Sequence, residues 1–209
     1  MKKIDYSKLK ATPENENFSG KYDDTNIISK FLVENYFKSV QKLVNKITTI
    51  DSAHEIGCGE GRSTMKINKM ISKLTASEYV EDLIPLARNN NPNLTIFHES
   101  IYELKYENNS VDLVFLLEVL EHLDFPKTAL EELKRVSKKY IILGVPREPL
   151  WRFLNICRFK YLNDFGNTPG HLNHWSKKSL IKLIEEEYGK VIAVESPIPW
   201  TIILAEKYS

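Results

Sequence analysis

Hydrophobic and polar positions along the chain form blocks with two different periods. Across residues 26–47, eight apolar side chains from Ile28 to Ile47 fall on one helical stripe, so the spacing predicts an amphipathic helix. Short apolar runs predict strands near residues 52–57, 75–79, 94–98, 111–117, 139–145, 190–196 and 200–206. Between them, the spacing predicts helices near residues 62–73, 82–90, 126–137 and 177–188.

The order of these predicted elements indicates the fold class. Residues 111–117 are nearly all apolar, as expected of a central parallel strand that is buried on both faces. Only residues 197–199 separate the last two predicted strands, and this connection is too short for a crossover helix. The sequence therefore predicts an α/β fold with a doubly wound, mostly parallel, seven-stranded sheet of Rossmann-like type and a C-terminal antiparallel hairpin.

Composition narrows the class of protein without naming a partner. The chain has 209 residues, the size of one domain, and a net charge of +1, which gives no general attraction to nucleic acid. Its two cysteines cannot make a disulfide framework, so a reducing cytoplasm is the expected compartment. No apolar run follows the basic start, and the longest apolar stretch is too short to cross a bilayer, so we expect no transmembrane segment.

A glycine-rich turn lies where the first predicted strand of the sheet meets the next helix. Residues 54–61 read HEIGCGEG, and the alternating Gly57, Gly59 and Gly61 allow a tight turn and close approach of a ligand to the main chain. Dinucleotide-binding turns carry a later small residue where Arg62 stands here, which disfavours a pyrophosphate ligand. The turn thus predicts a different nucleotide-like cofactor and an enzyme.

Two segments resemble motifs of the class I S-adenosylmethionine-dependent methyltransferases. The turn resembles their first motif, in which an acid, here Glu55, stands two residues before the first glycine. Residues 108–126, NNSVDLVFLLEVLEHLDFP, resemble their fourth motif almost position by position. The resemblance covers roughly residues 45–206 and implies the methyltransferase fold, S-adenosylmethionine as cofactor and S-adenosylhomocysteine as product.

An acid at the end of the second strand of the sheet should bind the two ribose hydroxyls of the cofactor. Glu78, Glu81 and Asp82 compete for this role, and counting back from Ala87-Arg88 in the family pattern selects Glu78. Ser100 stands where relatives commonly carry an Asp that accepts from the adenine amino group. The resemblance implies a cofactor-binding set of Glu55, Gly57, Cys58, Gly59, Gly61, Glu78, Tyr79, Ser100, Ile101, Leu117 and Glu118.

The segment after the fourth predicted strand of the sheet offers candidate chemistry. Glu118, Glu121 and His122 have the spacing i, i+3, i+4, which would place all three on one face of a helical turn. This E-x-x-E-H pattern resembles the metal site of small-RNA 3′-terminal 2′-O-methyltransferases, and also the ubiquinone-biosynthesis O-methyltransferases. Three interpretations stay open: packing beneath the cofactor, a general base at His122, or a divalent metal site.

Two further histidines lie in residues 170–176, GHLNHWS. Ser176 has the character of a helix N-cap, so His174 and Trp175 either anchor that cap or contact substrate. The candidate catalytic residues are His122, Glu121 and His174. No residue is assigned as a metal ligand, and a divalent metal is the alternative to metal-free catalysis.

The sequence predicts an N-terminal helical cap over residues 1–45 and a cofactor-binding domain over residues 46–209. Residues 146–175 form a long connection that is typical of a substrate lid. Within it, residues 150–161 carry an apolar stripe and interleaved cations, which predicts a helix packed on the domain or a peripheral membrane contact. The stripe comprises Leu150, Leu154, Cys157 and Tyr161. The family resemblance also implies that Lys21 and Tyr22 close over the cofactor.

The predicted function is S-adenosylmethionine-dependent methylation of a small-molecule, lipid or glycan-precursor acceptor on oxygen. Oxygen acceptors need a base or a metal to remove their proton, whereas the sulfonium leaving group is already activated. The alternatives are a metal-assisted RNA 2′-O-methyltransferase and a non-catalytic cofactor-binding module. The near-neutral charge and the lack of a basic tract disfavour nucleic acid as substrate.

Overall fold

The computed structural model describes residues 4–5, 9–11 and 27–208, which form a seven-stranded sheet covered by helices. The strands are β1 (Ala53–Ile56), β2 (Leu74–Glu78), β3 (Ile96–His98), β4 (Val111–Leu117), β5 (Ser137–Pro146), β6 (Gly189–Glu195) and β7 (Trp200–Lys207). The helices are α1 (Ile27–Val44), α2 (Arg62–Ile67), α3 (Ile84–Asn90), α4 (Pro126–Val136), α5 (Leu150–Cys157) and α6 (Lys177–Glu187).

The strand order of the sheet is β3-β2-β1-β4-β5-β7-β6. Strands β1 to β5 pair in parallel, and β7 runs antiparallel to both β5 and β6. The predicted mostly parallel sheet and its C-terminal antiparallel hairpin are therefore confirmed. The chain leaves β1 toward β2 on one side and β4 lies on the other, so the strand order reverses between β1 and β4, where α/β sheets open a binding crevice.

Each face of the sheet has its own hydrophobic core, because alternate residues of β4 point in opposite directions. Val114 and Leu116 belong to one core, and Leu113, Phe115 and Leu117 belong to the other. Helices α4 and α6 cover the first face through Leu130, Leu133, Leu180 and Ile184. Both faces are thus buried, which explains why this strand is almost continuously apolar in sequence.

Helix α1 covers the second face of the sheet. Its buried side carries Tyr36, Val40 and Leu43, and the Tyr36 ring meets the Trp200 ring of β7 edge to face at 5.0 Å between centroids. These side chains share one core with the sheet. The predicted amphipathic helix is confirmed from Tyr36 to Val44, whereas Ile28 and Phe31 of the predicted stripe are exposed. The division of the chain at residue 45 stays a prediction.

Asp112 fastens the amino end of β4 to the chain that leads into β1. Its Oδ2 accepts from Ser52 N at 2.8 Å, from Ser52 Oγ at 2.9 Å and from Asp51 N at 3.0 Å, and Lys138 Nζ lies 3.0 Å from its Oδ1. These bonds hold the amino ends of β1 and β4 together.

Two predicted helical features differ from the structure. Helix α2 ends at Ile67, whereas the sequence predicted an end at residue 73. Directly after Ile67, the N–H of Asn68 bonds to the carbonyls of Thr64 and Lys66 in a tightened final turn. In the lid, α5 ends at Cys157, so Tyr161 lies beyond the helix and the predicted four-residue stripe does not form. Among the described residues, no helix has the length and apolar character needed to cross a membrane.

Candidate active site

A cavity of about 470 Å³ opens at the carboxyl ends of β1, β2 and β4. This is the crevice expected from the reversal of strand order, and its volume is in the usual range for small-molecule sites. The glycine turn, the end of β2, the loop after β3 and the end of β4 line its inner wall. Residues of the lid and of the N-terminal segment line its outer wall.

The glycine turn adopts backbone conformations that other residues rarely take. Gly57 has φ +73°, and a Cβ added there would lie 2.5 Å from Val119 Cγ2. Gly59 has φ +55°, and a Cβ added there would meet no atom within 4 Å, so its main chain faces open cavity. The carbonyl of Ser77 accepts from both Gly57 N and Cys58 N, at 2.9 and 3.0 Å. The predicted tight turn that bares main chain toward a ligand therefore forms.

Glu78 ends β2 with its carboxylate at the inner wall of the cavity. Its Oε2 accepts from Gly59 N at 2.7 Å, and its Oε1 accepts from Tyr79 N at 2.8 Å and Val80 N at 2.9 Å. Burial raises the pKa of this carboxyl, and the main-chain bonds act against that rise. The rival acids Glu81 and Asp82 are exposed in the next turn and outside the cavity lining.

Two residues of the predicted cofactor set support the turn from behind. Glu55 is 1% exposed, and its Oε2 accepts from Thr64 Oγ1 of α2 at 2.6 Å. Burial raises the pKa of Glu55 to about 7. Gly61 precedes α2 and packs closely on Ala87. A Cβ added at Gly61 would lie 3.1 Å from the Cα of Ala87. Neither residue is in the cavity lining, whereas Cys58 and Tyr79 are.

The loop after β3 brings an acid that the sequence reasoning missed. Ser100 and Ile101, two residues of the predicted cofactor set, line the cavity, but the Ser100 hydroxyl already accepts from Tyr102 N at 3.3 Å. Glu99 also lines the cavity, is 6% exposed, and has an Oε2 without a hydrogen-bond partner among the described residues. Burial raises the pKa of this carboxyl. In the sequence, the only indication of a role for Glu99 is that it stands next to Ser100.

The end of β4 contributes Leu117 and Glu118, two residues of the predicted cofactor set, to the cavity lining. Glu118 has φ +60°, an uncommon value for a residue with a side chain. Its Oε2 accepts from Trp200 Nε1 at 2.9 Å, and its N–H donates to the Gly144 carbonyl at 2.9 Å. These bonds tie the end of β4 to β7 and β5, so the position of Glu118 depends on the whole sheet.

The E-x-x-E-H segment does not form the predicted helical face. Only Leu120–His122 are helical, as a single 3₁₀ turn, and Glu118 lies before that turn in the left-handed region. His122 lines the cavity, whereas Glu121 is 1% exposed and lies behind it. The Glu121 carbonyl accepts from Leu172 N and Asn173 N, both at 2.9 Å, which joins the turn to the lid.

His171 of the lid joins His122 and Glu121 in one cluster. The two imidazole rings lie 4.9 Å apart between centroids and nearly perpendicular, and His122 Nε2 is 3.9 Å from Glu121 Oε1. One ligand atom from each of the three residues lies within 4.8 Å of the others. One carboxylate with two imidazoles fits a borderline divalent ion such as Zn²⁺, Mn²⁺ or Fe²⁺.

His174, the predicted catalytic histidine of this segment, lies outside the cavity lining. Its Nε2 is 2.6 Å from Asn167 Oδ1 and 3.0 Å from Arg152 Nη2. Burial, and then the charge of Arg152, lower its pKa. The structure therefore places His171, and not His174, beside His122. Ser176 is the N-cap of α6, as predicted, because its Oγ accepts from Ser179 N at 3.2 Å.

Two segments cover the outer side of the cavity. Tyr161, Thr168 and Pro169 of the lid line it from one side, and Leu9 and Ala11 line it from the other. Asp124 holds the N-terminal segment, since its carboxylate accepts from the main-chain N–H groups of residues 10 and 11 at 2.8 and 2.9 Å. The predicted cover by Lys21 and Tyr22 lies outside the described residues.

Comparison with known proteins gives a family match and several similar folds. Residues 54–142 match a family model described as a methyltransferase domain. No curated protein sequence matches the chain. A solved protein from Pyrococcus horikoshii has 15% identity, covers 94% of this chain and 99% of its own, and gives a TM-score of 0.69.

Two other solved structures have names that state an activity. Magnesium protoporphyrin IX methyltransferase from Synechocystis, with bound S-adenosylhomocysteine, has 14% identity, 88% coverage of each chain and a TM-score of 0.66. A SAM-dependent methyltransferase from Aquifex aeolicus has 18% identity, covers 86% of this chain and 98% of its own, and gives a TM-score of 0.63. At these identities the likeness shows the fold.

Proposed function

We propose that this chain, whose residues 54–142 match a methyltransferase-domain model, is a class I S-adenosylmethionine-dependent methyltransferase, and we propose a class of acceptor for it. The acceptor is a small molecule, a lipid or a glycan precursor, and the methyl group goes to an oxygen atom. The observation that carries the proposal is the layout of the cavity: the glycine turn and Glu78 lie in its inner wall, and His122 and His171 line it as well. Cofactor and acceptor can therefore lie in one cavity.

The inner wall of the cavity supplies the groups that the cofactor requires. The carboxylate of Glu78 can accept from two ribose hydroxyls, and Glu99 offers an acceptor for an exocyclic amino group. Leu117 and Glu118 lie at the end of β4, where the methionine part of the cofactor would reach toward His122. The resemblance to relatives, together with this lining, supports the assignment of these residues.

His122 is the proposed general base. Methyl transfer is an in-line displacement in which the acceptor oxygen forms a bond to the methyl carbon and the sulfonium sulfur leaves as a neutral thioether. Much of the rate enhancement therefore comes from positioning. The hydroxyl proton of the acceptor passes to the imidazole of His122, and the nearby Glu121 carboxylate stabilises the imidazolium that results.

Metal-assisted methylation of an RNA 2′-hydroxyl is the second candidate. The clustering of Glu121, His122 and His171 favours it, because this donor set fits a divalent ion. Such an ion, when bound, lowers the pKa of a coordinated hydroxyl. The net charge of +1 favours the small-molecule or lipid acceptor instead.

The test measures cofactor binding and methyl transfer separately. S-adenosylhomocysteine is titrated into the protein by calorimetry, and label transfer from S-adenosylmethionine is followed into the organic, aqueous small-molecule and RNA fractions of a cell extract. We expect His122→Ala to lower turnover by roughly 10²- to 10⁴-fold with unchanged cofactor affinity. The matched control, His174→Ala, should retain turnover because His174 lies outside the cavity lining.

The remaining outcomes decide between the alternatives. Label in RNA that disappears with a chelator, together with a Mn²⁺ isotherm lost in His171→Ala, would favour the metal-assisted enzyme. Cofactor binding without label in any fraction would favour a cofactor-binding module. Label in a non-RNA fraction with full turnover in His122→Ala would contradict the general-base role.

A further inference from the structure

The outer surface of the lid exposes an unusual density of large apolar side chains. Phe159 is 85% exposed, Phe165 is 80% exposed and Phe153 is 61% exposed. Leu162 and Ile156 add 51% and 42% exposure within the same segment of 13 residues. These five residues, Phe153, Ile156, Phe159, Leu162 and Phe165, are called the outer patch below. Scattered apolar residues are normal on a protein surface, but a concentrated group marks a contact site.

Phe153 and Ile156 of the outer patch are turned outward because the other side of α5 is fixed to the protein. Asn155 is 2% exposed, and its side-chain amide donates to the Gly166 carbonyl at 2.9 Å. Trp151 Nε1 donates to Thr168 Oγ1 at 2.8 Å. With Trp151 and Asn155 anchoring the inner side, Phe153 and Ile156 face solvent one turn apart. The packed side of the helix is therefore already used, and the exposed side is left for another surface.

Cations border the outer patch. Arg158 and Lys160 are exposed and flank Phe159 in sequence. Residues 147–165 contain four basic and two acidic residues, and one of the acids, Glu148, is paired with Arg152 at 3.8 Å. The segment thus carries a local positive charge in a chain of nearly neutral net charge. Exposed aromatic residues beside Arg and Lys are typical of proteins that bind the surface of a lipid bilayer with anionic head groups.

The outer patch is next in the chain to residues that line the cavity. Tyr161 lies between Phe159 and Leu162 in the chain and lines the cavity, as do Thr168 and Pro169. A flat surface in contact with the outer patch would therefore lie next to the opening through which an acceptor enters.

We propose that the outer patch docks the protein on an anionic lipid bilayer and that the acceptor is a lipid taken directly from that bilayer. The phenyl rings insert at the level of the head groups, and Arg158 and Lys160 pair with anionic lipids. The docking part stands on the outer patch alone. The lipid acceptor rests on the proposed methyltransferase function and narrows its substrate class.

The docking test is flotation of the full chain with vesicles. One set of vesicles is pure phosphatidylcholine, and the other is an equal mixture of phosphatidylcholine and phosphatidylglycerol. We expect flotation with the anionic vesicles, weakened by salt, and a loss of about tenfold in partitioning for Phe159→Ser or Phe165→Ser. Lys160→Gln should lower partitioning to the anionic vesicles by about fivefold and leave partitioning to the phosphatidylcholine vesicles unchanged.

Phe31→Ser is the matched control, because Phe31 is a 59% exposed phenylalanine on α1, outside the lid. It should float like the unaltered protein, and each variant should bind S-adenosylhomocysteine as the unaltered protein does. Equal losses in Phe31→Ser and Phe159→Ser would overturn the assignment of the outer patch. A dimer in sedimentation velocity that Phe159→Ser abolishes, without flotation, would identify the outer patch as a self-association surface and overturn docking.

The two parts of the proposal fail in different ways. Absence of flotation refutes docking, whatever the methyl-transfer assay gives. Flotation with label only in water-soluble products refutes the lipid acceptor. Flotation without label transfer to any acceptor refutes the proposed function and leaves the docking surface in place.

Discussion

At the scale of single residues, Glu78 shows how one side chain can serve two purposes. Its carboxylate accepts three main-chain N–H bonds that shape the glycine turn, and it also faces the cavity. An ionised carboxylate accepts such bonds more strongly than a neutral amide oxygen does. The acid proposed to bind the cofactor therefore also holds the turn against which the cofactor would lie.

We expect Glu78→Gln to weaken S-adenosylhomocysteine binding by roughly 10- to 100-fold, since charge-assisted hydrogen bonds contribute more than neutral ones. Glu81→Gln is the control, because it removes the same charge three residues away on an exposed side chain. Calorimetric titration of both variants measures the difference. Equal affinities for the two variants would remove Glu78 from the cofactor site.

At the scale of elements, the strand-to-helix turn depends on a contact with the segment after β4. The added Cβ at Gly57 meets Val119, whereas the added Cβ at Gly59 meets nothing. The two glycines share a left-handed backbone but differ in surroundings. Their substitutions can therefore separate backbone strain from steric overlap.

Gly57→Ala and Gly59→Ala should each cost about 1–2 kcal/mol of unfolding free energy through backbone strain. Gly57→Ala should cost about 1–3 kcal/mol more, because it overpacks against Val119. Adding Val119→Ala should restore part of the unfolding free energy that Gly57→Ala loses through overpacking. The same addition should restore no stability to Gly59→Ala. Urea unfolding provides the measurement, and an equal cost for the two glycine variants would show that the contact with Val119 is unimportant.

At the scale of the whole molecule, the buried Glu55 makes stability depend on pH. Its pKa is about 7 in the folded protein because of burial, compared with an ordinary value of 4.5. Between these two values the folded state holds a proton that the unfolded state has lost, so stability falls as pH rises through this window. At about 1.4 kcal/mol for each pKa unit, the fall from this group is about 3 kcal/mol.

We expect Glu55→Gln to remove this fall, since an amide keeps the acceptor for Thr64 Oγ1 and does not ionise. Unfolding free energies of both proteins are compared at pH 5 and pH 8 in the same denaturant. The variant should be the more stable protein at pH 8 and show little advantage at pH 5. A decline with pH of the same size in both proteins would contradict a protonated Glu55 in the folded state.

The sequence by itself predicted most of the elements, the class of the sheet and the proposed cofactor end of the site. Local periodicity and turn chemistry act over a few residues, so they predicted the buried β4, the C-terminal hairpin and the glycine turn. The choice of Glu78 over Glu81 came from spacing within a family pattern. Each of these features depends on residues that are near one another in the chain.

Only the tertiary structure decided which side chains meet across the cavity. His171 reaches His122 because the lid bonds to the Glu121 carbonyl, and Glu118 is held by Trp200, 82 residues further along the chain. The left-handed backbone at Glu118 also replaced the helical turn that its spacing predicted. Such contacts depend on strand order and on how loops from different strands converge, and these are set by packing of the whole sheet, which no local pattern records.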